Sequence, residues 1–264
     1  MLWVYARSIF YGGSTMELWL QIKDNFGFLV MCGIIAAFLY FLAKLASWFL
    51  PNRRTVTPAR KVSIIGVCAA IATVLHMLDF PLLFLAPGFY KLDFSELPVM
   101  LCGFYLGPTA TVVCEALKIL LKLLFKGTTT AFVGDFANFV VGCSFVLPAS
   151  VIYHSKPGKK SALVGMAIGT IVLTCFGSFM NVVYMIPKFS QLFGLPIDAI
   201  VAMGSAVNPA INSVNTLVLF AVVPFNLLKG ILVSFITFLL YKRISPILHK
   251  NDARKMQKKI TKEM

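Results

Sequence analysis

Residues 26–50 read FGFLVMCGIIAAFLYFLAKLASWFL, an apolar run broken only by Lys44. A helix needs about 20 apolar residues to cross the hydrocarbon of a bilayer, so this stretch places the chain in lipid. Working outward, Val62 to Leu78 forms a second, slightly shorter span. Leu97 to Phe125 is too long for one crossing and marginal for two. It breaks at Gly107-Pro108, because proline disfavours helix at the residue before it. A short helix followed by a longer one is expected there. Gly134 to Val151, Ser161 to Ile186 and about Asn212 to Tyr241 bring the expected total to seven spans, one of them stubby. The fold class is all-α, a polytopic membrane helix bundle with a six-helix core and one additional N-terminal transmembrane helix. Residues 1–60 read as an extension with the extra helix and a basic linker, 61–244 as the core, and 245–264 as a basic cytoplasmic tail.

Composition agrees with a lipid solvent. The 264 residues are 59% hydrophobic and 13% charged, with a mean hydropathy of +0.86. One soluble core does not hide that much apolar surface. The net charge is +14, yet the basic residues fall between apolar runs, as membrane topology requires. Nucleic acid is therefore not the expected partner; membrane lipid is.

Arg53, Arg54, Arg60, Lys61, Lys156, Lys159, Lys160 and the tail from Lys242 to Lys262 share one side of the expected topology. The other side holds Arg7, Lys23, Lys91, Lys126 and Lys188, together with the longer connections Pro81–Ser95, Lys126–Gly134 and Pro187–Ile211. Because basic loops stay inside, the C-terminus is expected in the cytoplasm and the N-terminus outside a cell membrane. The first span is long and no A-x-A-like cleavage site follows it, which argues against a signal peptide. Met16 is an alternative start.

No catalytic motif is visible: there is no G-x-S-x-G, H-E-x-x-H or G-x-x-x-x-G-K. The three histidines are far apart, and the six cysteines lack C-x-x-C spacing and read as small packing residues. No cofactor and no metal site are expected.

Polar residues inside spans are costly in lipid and normally face a cavity, a partner or the bundle interior. Glu115, Lys118 and Lys122 share one helix face, with two readings open: an internal ion pair between Glu115 and Lys118, or a ligand role. Lys122 lies near the helix end, where snorkelling suffices to explain it. Asn226 and Lys229, three apart in Pro224-Phe225-Asn226-Leu227-Leu228-Lys229-Gly230, put an amide and an ammonium on one face of an otherwise uncharged run. A binding site is the preferred reading over interhelical hydrogen bonds. Asn181, Tyr184, Asp135 and Asn138 approach the same membrane face; Tyr184 also fits an interface aromatic. Gly103-x-x-x-Gly107, Gly165-x-x-x-Gly169, Gly66-x-x-x-Ala70 and Cys68-x-x-x-Ala72 allow close helix approach, for internal packing or for docking a separate subunit.

From about Lys61 to Ile244 the chain resembles the substrate-binding S components of energy-coupling factor (ECF) vitamin transporters, most closely the riboflavin-specific branch. The resemblance rests on Lys91-Leu92-Asp93-Phe94-Ser95-Glu96-Leu97-Pro98, Gly107-Pro108, the run from Glu115 through Lys126-Gly127-Thr128, Val133-Gly134-Asp135-Phe136-Ala137-Asn138-Phe139 and Pro224 to Gly230. It implies a six-helix protein without ATPase activity that binds vitamin near its outer face. The implied partners are a membrane coupling subunit and two cytoplasmic ATPases. Asn226 and Lys229 match family positions that bind flavin; Asn181, Tyr184 and Asn138 extend that set. The coupling contact falls at Gly66/Ala70 and Cys68/Ala72, where the family has alanine-rich spacing. The Pro81–Ser95 connection is the candidate lid. Residues 1–60 have no counterpart in the family core, and the long Pro187–Ile211 connection blurs the match around Asn208, Asn212 and Asn215. Rival readings are an S component for pantothenate or thiamine, a membrane-embedded enzyme using Glu115 or Asp135 as base, and a self-sufficient secondary transporter, for which no inverted repeat is visible.

Overall fold

The structure, a computed structural model, describes residues 26–50 and 56–263, with backbone only from 244 onward. Met16, Arg7, Lys23, Arg53, Arg54 and the tail side chains from Lys250 to Lys262 lie outside the described residues or side chains. The chain runs α1 (Phe26–Phe49), α2 (Pro58–Met77), β1 (Phe80–Pro81), β2 (Lys91–Leu92), α3 (Glu96–Leu106), α4 (Pro108–Lys126), α5 (Val133–Ser155) and α6 (Lys159–Met180). A π-helical turn, Asn181–Met185, leads into α7 (Ile186–Phe193); α8 (Ile197–Ser205) and α9 (Val214–Leu217) follow. A second π-helical turn, Val218–Val222, opens into α10 (Val223–Glu263).

Among the described residues, five helical stretches are long and apolar enough to cross a membrane: Phe26–Phe49, Pro58–Met77, Val133–Ser155, Lys159–Phe193 and Val214–Arg243. The other two expected spans deviate for clear reasons. Glu96–Leu106 has 11 residues, too few to cross. Pro108–Lys126 has 19 but carries Glu115, Lys118, Lys122 and Lys126. The turn between them falls where expected. Gly107 adopts φ +99°, a region that a Cβ makes unfavourable, and Pro108 starts α4, where its missing N–H costs nothing.

The Pro187–Ile211 connection is not a plain loop, since it contains α7 and α8. Each π-helical turn is followed within two residues by a proline, Pro187 or Pro224. A proline inside a helix cannot donate to the carbonyl four residues back and its ring collides with it. Widening the preceding turn relieves that collision: Ile186 N–H bonds to Asn181 O and Val223 N–H to Val218 O, each five residues back. The two wide turns lie against each other.

In the bundle, α5 runs along α6 and α10 packs on α6 and α3, while α2 covers α4 and α3. Gly165 and Gly169 make the α5–α6 contact close: a Cβ at Gly165 would lie 2.8 Å from Ala149 O, and one at Gly169 2.5 Å from Phe145 O. Of the two readings for that small-residue pair, internal packing holds. The core divides into a cluster around Phe104, Phe145, Tyr153 and Tyr241, a second around Leu92, Ile186, Ile211 and Phe225 beneath the longer connections, and a third around Val112, Phe136, Phe139 and Cys143 on which Phe28, Cys32 and Leu39 of α1 pack. Helix α1 leans on α4 and α5, with Ala43 its one buried residue.

On α2, Gly66 has open space beside it and Ala70 is exposed. Ala72 is fully buried, and Cys68 packs on the core. The four residues therefore do not form one smooth face. Positions two apart on an α-helix point about 200° away from each other, so only Gly66 and Ala70 look outward.

Candidate functional site

The connection between α2 and α3 folds back over the bundle instead of projecting from it. Phe80 pairs with Leu92 and Pro81 with Lys91 in a short antiparallel ladder, and Ala86 and Leu92 are buried beneath it. The ladder delivers Asp93, Ser95 and Glu96 to the interior at the start of α3, where all three are buried.

A compact ion cluster forms there. Lys229 Nζ lies 3.1 Å from Asp93 Oδ2 and 3.2 Å from Glu96 Oε1. Lys118 Nζ pairs with Glu115 Oε1, stands 3.6 Å from Glu96 Oε1 and donates to Ser95 Oγ at 3.1 Å. His76 Nδ1 sits 3.5 Å from Asp93 Oδ2 without a hydrogen bond. Space for Glu115 exists because residue 142 is glycine; a Cβ there would strike the Glu115 carboxylate. Burial pushes the Asp93 carboxyl up, but Lys229 and His76 beside it reverse this and hold it well below the usual carboxylate range.

Around this cluster, polar groups converge from three helices. Tyr90 OH donates to Asn181 Oδ1 at 2.7 Å, and Asn181 Nδ2 donates to Gly177 O at 2.8 Å. Tyr90 also stacks near Phe225, centroids 5.9 Å apart. The Asn226 amide rests against Gly177, where an added Cβ would come within 2.8 Å of its Nδ2. Lys122 Nζ bonds to Asp135 Oδ1 at 2.5 Å and to Gly127 O at 2.9 Å, so it ties α4 to α5 rather than merely snorkelling. Tyr184 meets Phe136 edge-on at 6.4 Å. Asn138 turns its amide back to Gly134 O at 3.1 Å.

Asn226 and Lys229 are on one face and both buried, but they differ in what they do. Lys229 is fully engaged by carboxylates. Asn226, only 7% exposed, makes none of the hydrogen bonds found among the described residues. Tyr184 OH, Ser178 Oγ and Asp135 Oδ2 are buried atoms without a hydrogen-bond partner among the described residues. Buried polar groups normally have one, so a group of them at one end of a bundle has the chemistry of a site for a polar solute.

Sequence reading missed the pairing of Asp93 and Glu96 with the membrane lysines and the approach of His76 to Asp93. Asp93 and Glu96 lie outside the apolar runs and read as loop residues. The available signal was their spacing of three at a helix start, together with Lys229, which has no carboxylate near it on its own helix.

A polytopic helix bundle with an internal polar site roofed by a folded connection is the class defined so far. Within that class, the chain belongs to the family described as "ECF transporter, substrate-specific component", which matches residues 60–241. It is 36% identical over 199 residues to the "Riboflavin transporter RibU" of Staphylococcus aureus (strain TCH60), covering 75% of this chain and 94% of the relative. It is 28% identical over 188 residues to the "Riboflavin transporter FmnP" of Bacillus subtilis (strain 168), covering 71% and 93%. A solved structure reported as "Structure and mechanism of the S component of a bacterial ECF transporter" superposes with a TM-score of 0.57 at 35% identity, over 73% of this chain and 99% of that one. The chain is thus a multi-pass membrane transporter component and not an enzyme. The matched range leaves out α1.

Proposed function

We propose that this chain is the riboflavin-binding subunit of an ATP-driven uptake transporter, taking the vitamin at the end covered by the α2–α3 connection. The observation that carries the proposal is Asn226, a largely buried residue whose amide makes none of the hydrogen bonds found among the described residues. A carboxamide offers one acceptor and two donors, complementary to the alternating carbonyl and N–H groups on the polar edge of a flavin ring. Lys229, one turn along, supplies a cation for a ring carbonyl. Asn181, Tyr184 and Asn138 complete the set from α5 and the wide turn after α6. The names of the two relatives support riboflavin over other vitamins.

Lys229 is bound to Asp93 of the connection, and Asn181 to its Tyr90. A ligand that takes over either contact loosens or re-seats that connection, which therefore acts as the lid. Ligand shifts this equilibrium only by its differential affinity for the two states. The basic end faces the cytoplasm, with the C-terminus inside and the N-terminus outside. Gly66 and Ala70, on the outward face of α2, dock the membrane coupling subunit that joins two cytoplasmic ATPases; Cys68 and Ala72 support that helix from behind. Residues 1–60 are an extension, 61–244 the binding core and 245–264 a basic tail.

A flavin-fluorescence titration of the purified protein tests the reading. Saturable quenching by riboflavin, weakened in Asn226→Ala, is expected. Protein that ignores riboflavin but binds thiamine or pantothenate refutes the choice of vitamin.

A further inference from the structure

The opposite, basic end of the bundle holds a cavity of about 450 Å³ between α1 and the core. That is within the range of small-molecule pockets, roughly 300–1,000 Å³. Its walls include Tyr40, Lys44 and Trp48 of α1, Lys61 of α2, Thr109 at the start of α4 and His154 at the end of α5. Among the described residues its lining contains no aspartate or glutamate. Neither lysine ammonium has an acidic partner among the described residues, in contrast to Lys118, Lys122 and Lys229. The imidazole of His154 is oriented by Nδ1 bonded to Ser150 O at 3.0 Å.

Two cations facing one hollow repel each other, and more strongly where lipid lowers the dielectric. An anion in the hollow turns that repulsion into attraction. Trp48 and Tyr40 give the walls aromatic surface of the kind that sits at headgroup level. Basic pockets between membrane helices on the cytoplasmic side suit lipid headgroups. The N–H end of α4 at Thr109 favours an anion, while the carbonyl end of α3 at Leu106 opposes it, so the lysines carry the selectivity.

We propose that this cavity binds a phosphate-bearing anion, either the headgroup of an anionic phospholipid or a free phosphate. The site needs α1, since Lys44 lies on it, and so exists only where the extension meets the family core. It stands independently of which vitamin the other end takes.

Native mass spectrometry of the full chain in neutral detergent, with phosphatidylglycerol or phosphatidylcholine added, tests it. One phosphatidylglycerol is expected to be retained in preference to phosphatidylcholine. Lys44→Gln and Lys61→Gln should each reduce that preference by about fivefold, whereas Lys44→Arg and Lys61→Arg should keep it. Lys156→Gln, a basic-end control outside the cavity, should leave it unchanged. Displacement of the lipid by millimolar inorganic phosphate assigns the site to free phosphate; retention assigns it to the headgroup. Equal retention of both lipids, or a Lys156→Gln effect as large as those at Lys44 and Lys61, overturns the proposal: the lysines would then merely snorkel or add to a diffuse charge. Circular dichroism melting of each variant separates lost binding from lost folding.

Discussion

At the scale of single residues, the site contains one side chain that separates binding from stability and one that does not. Asn226 makes no protein hydrogen bond among the described residues, so Asn226→Ala should leave the melting temperature nearly unchanged. It should weaken riboflavin binding about tenfold, the loss of roughly one buried hydrogen bond, as measured by titration calorimetry. Lys229→Ala should weaken binding as well, but also lower the melting temperature. It strands Asp93 and Glu96, and breaking a buried ion pair from one side costs about 3–5 kcal/mol. Equal stability of the two variants would show that the Lys229 ion pairs are not what holds the α2–α3 connection in place. Lys122→Met should likewise destabilise, because Asp135 then loses its ammonium partner inside the bundle. By contrast Lys126→Ala, whose contact with Asp79 is 3.7 Å and largely exposed, should change stability by less than about 1 kcal/mol.

The same residues set a pH dependence. The Asp93 carboxyl is held well below its usual range, so its folded pKa lies under the unfolded value of about 3.9. A group with a depressed folded pKa contributes its full stabilisation above the unfolded value and loses it as pH falls through the folded one. The stability difference between the protein and Asp93→Asn should therefore shrink as pH falls below about 4, in thermal melts at about pH 5 and below.

At the scale of elements, apolar run length and the Gly-Pro break were enough to locate most helices, because both act through local chemistry. Lys118 and Glu115 were readable as a pair for the same reason: spacing of three on a helix forces them onto one face. The two π-helical turns were not anticipated. A proline signals a missing hydrogen bond but not how the chain absorbs it, whether by a kink, a break or a widened turn. Here both prolines widen the turn before them, and this is where Asn181 and Tyr184 lie. The Gly165/Gly169 pair on α6 allows a direct test. Gly169→Val should force α6 from α5, because its Cβ meets the backbone oxygen of Phe145, which cannot rotate away. A loss of about 1–3 kcal/mol, typical of overpacking, should appear in the thermal melt. A substitution at Gly66, where a Cβ meets nothing, should leave folding intact and impair only assembly with the coupling subunit.

At the scale of the whole molecule, charge is sorted by depth. The interior lysines of α4 and α10 are matched by carboxylates from α3, α4, α5 and the α2–α3 connection. Helix α1 buries only Ala43 fully and packs on the α4–α5 cluster, away from Asn226 and Lys229, so a chain beginning at residue 56 should still quench flavin fluorescence with unchanged affinity. Lost binding in that chain would make α1 part of the binding unit.

By itself the sequence determined that this protein lives in a membrane, roughly where its helices run, which family it resembles and which amide and ammonium share one face of the last span. These depend on local hydropathy, helical periodicity and short motifs. Only the tertiary structure decided that Asp93 and Glu96 neutralise Lys229 and that Cys68 and Ala72 face inward. It also decided that a basic hollow opens between α1 and the core. Those outcomes depend on distances between segments far apart in the chain, and spacing along one helix carries no information about what stands across from it.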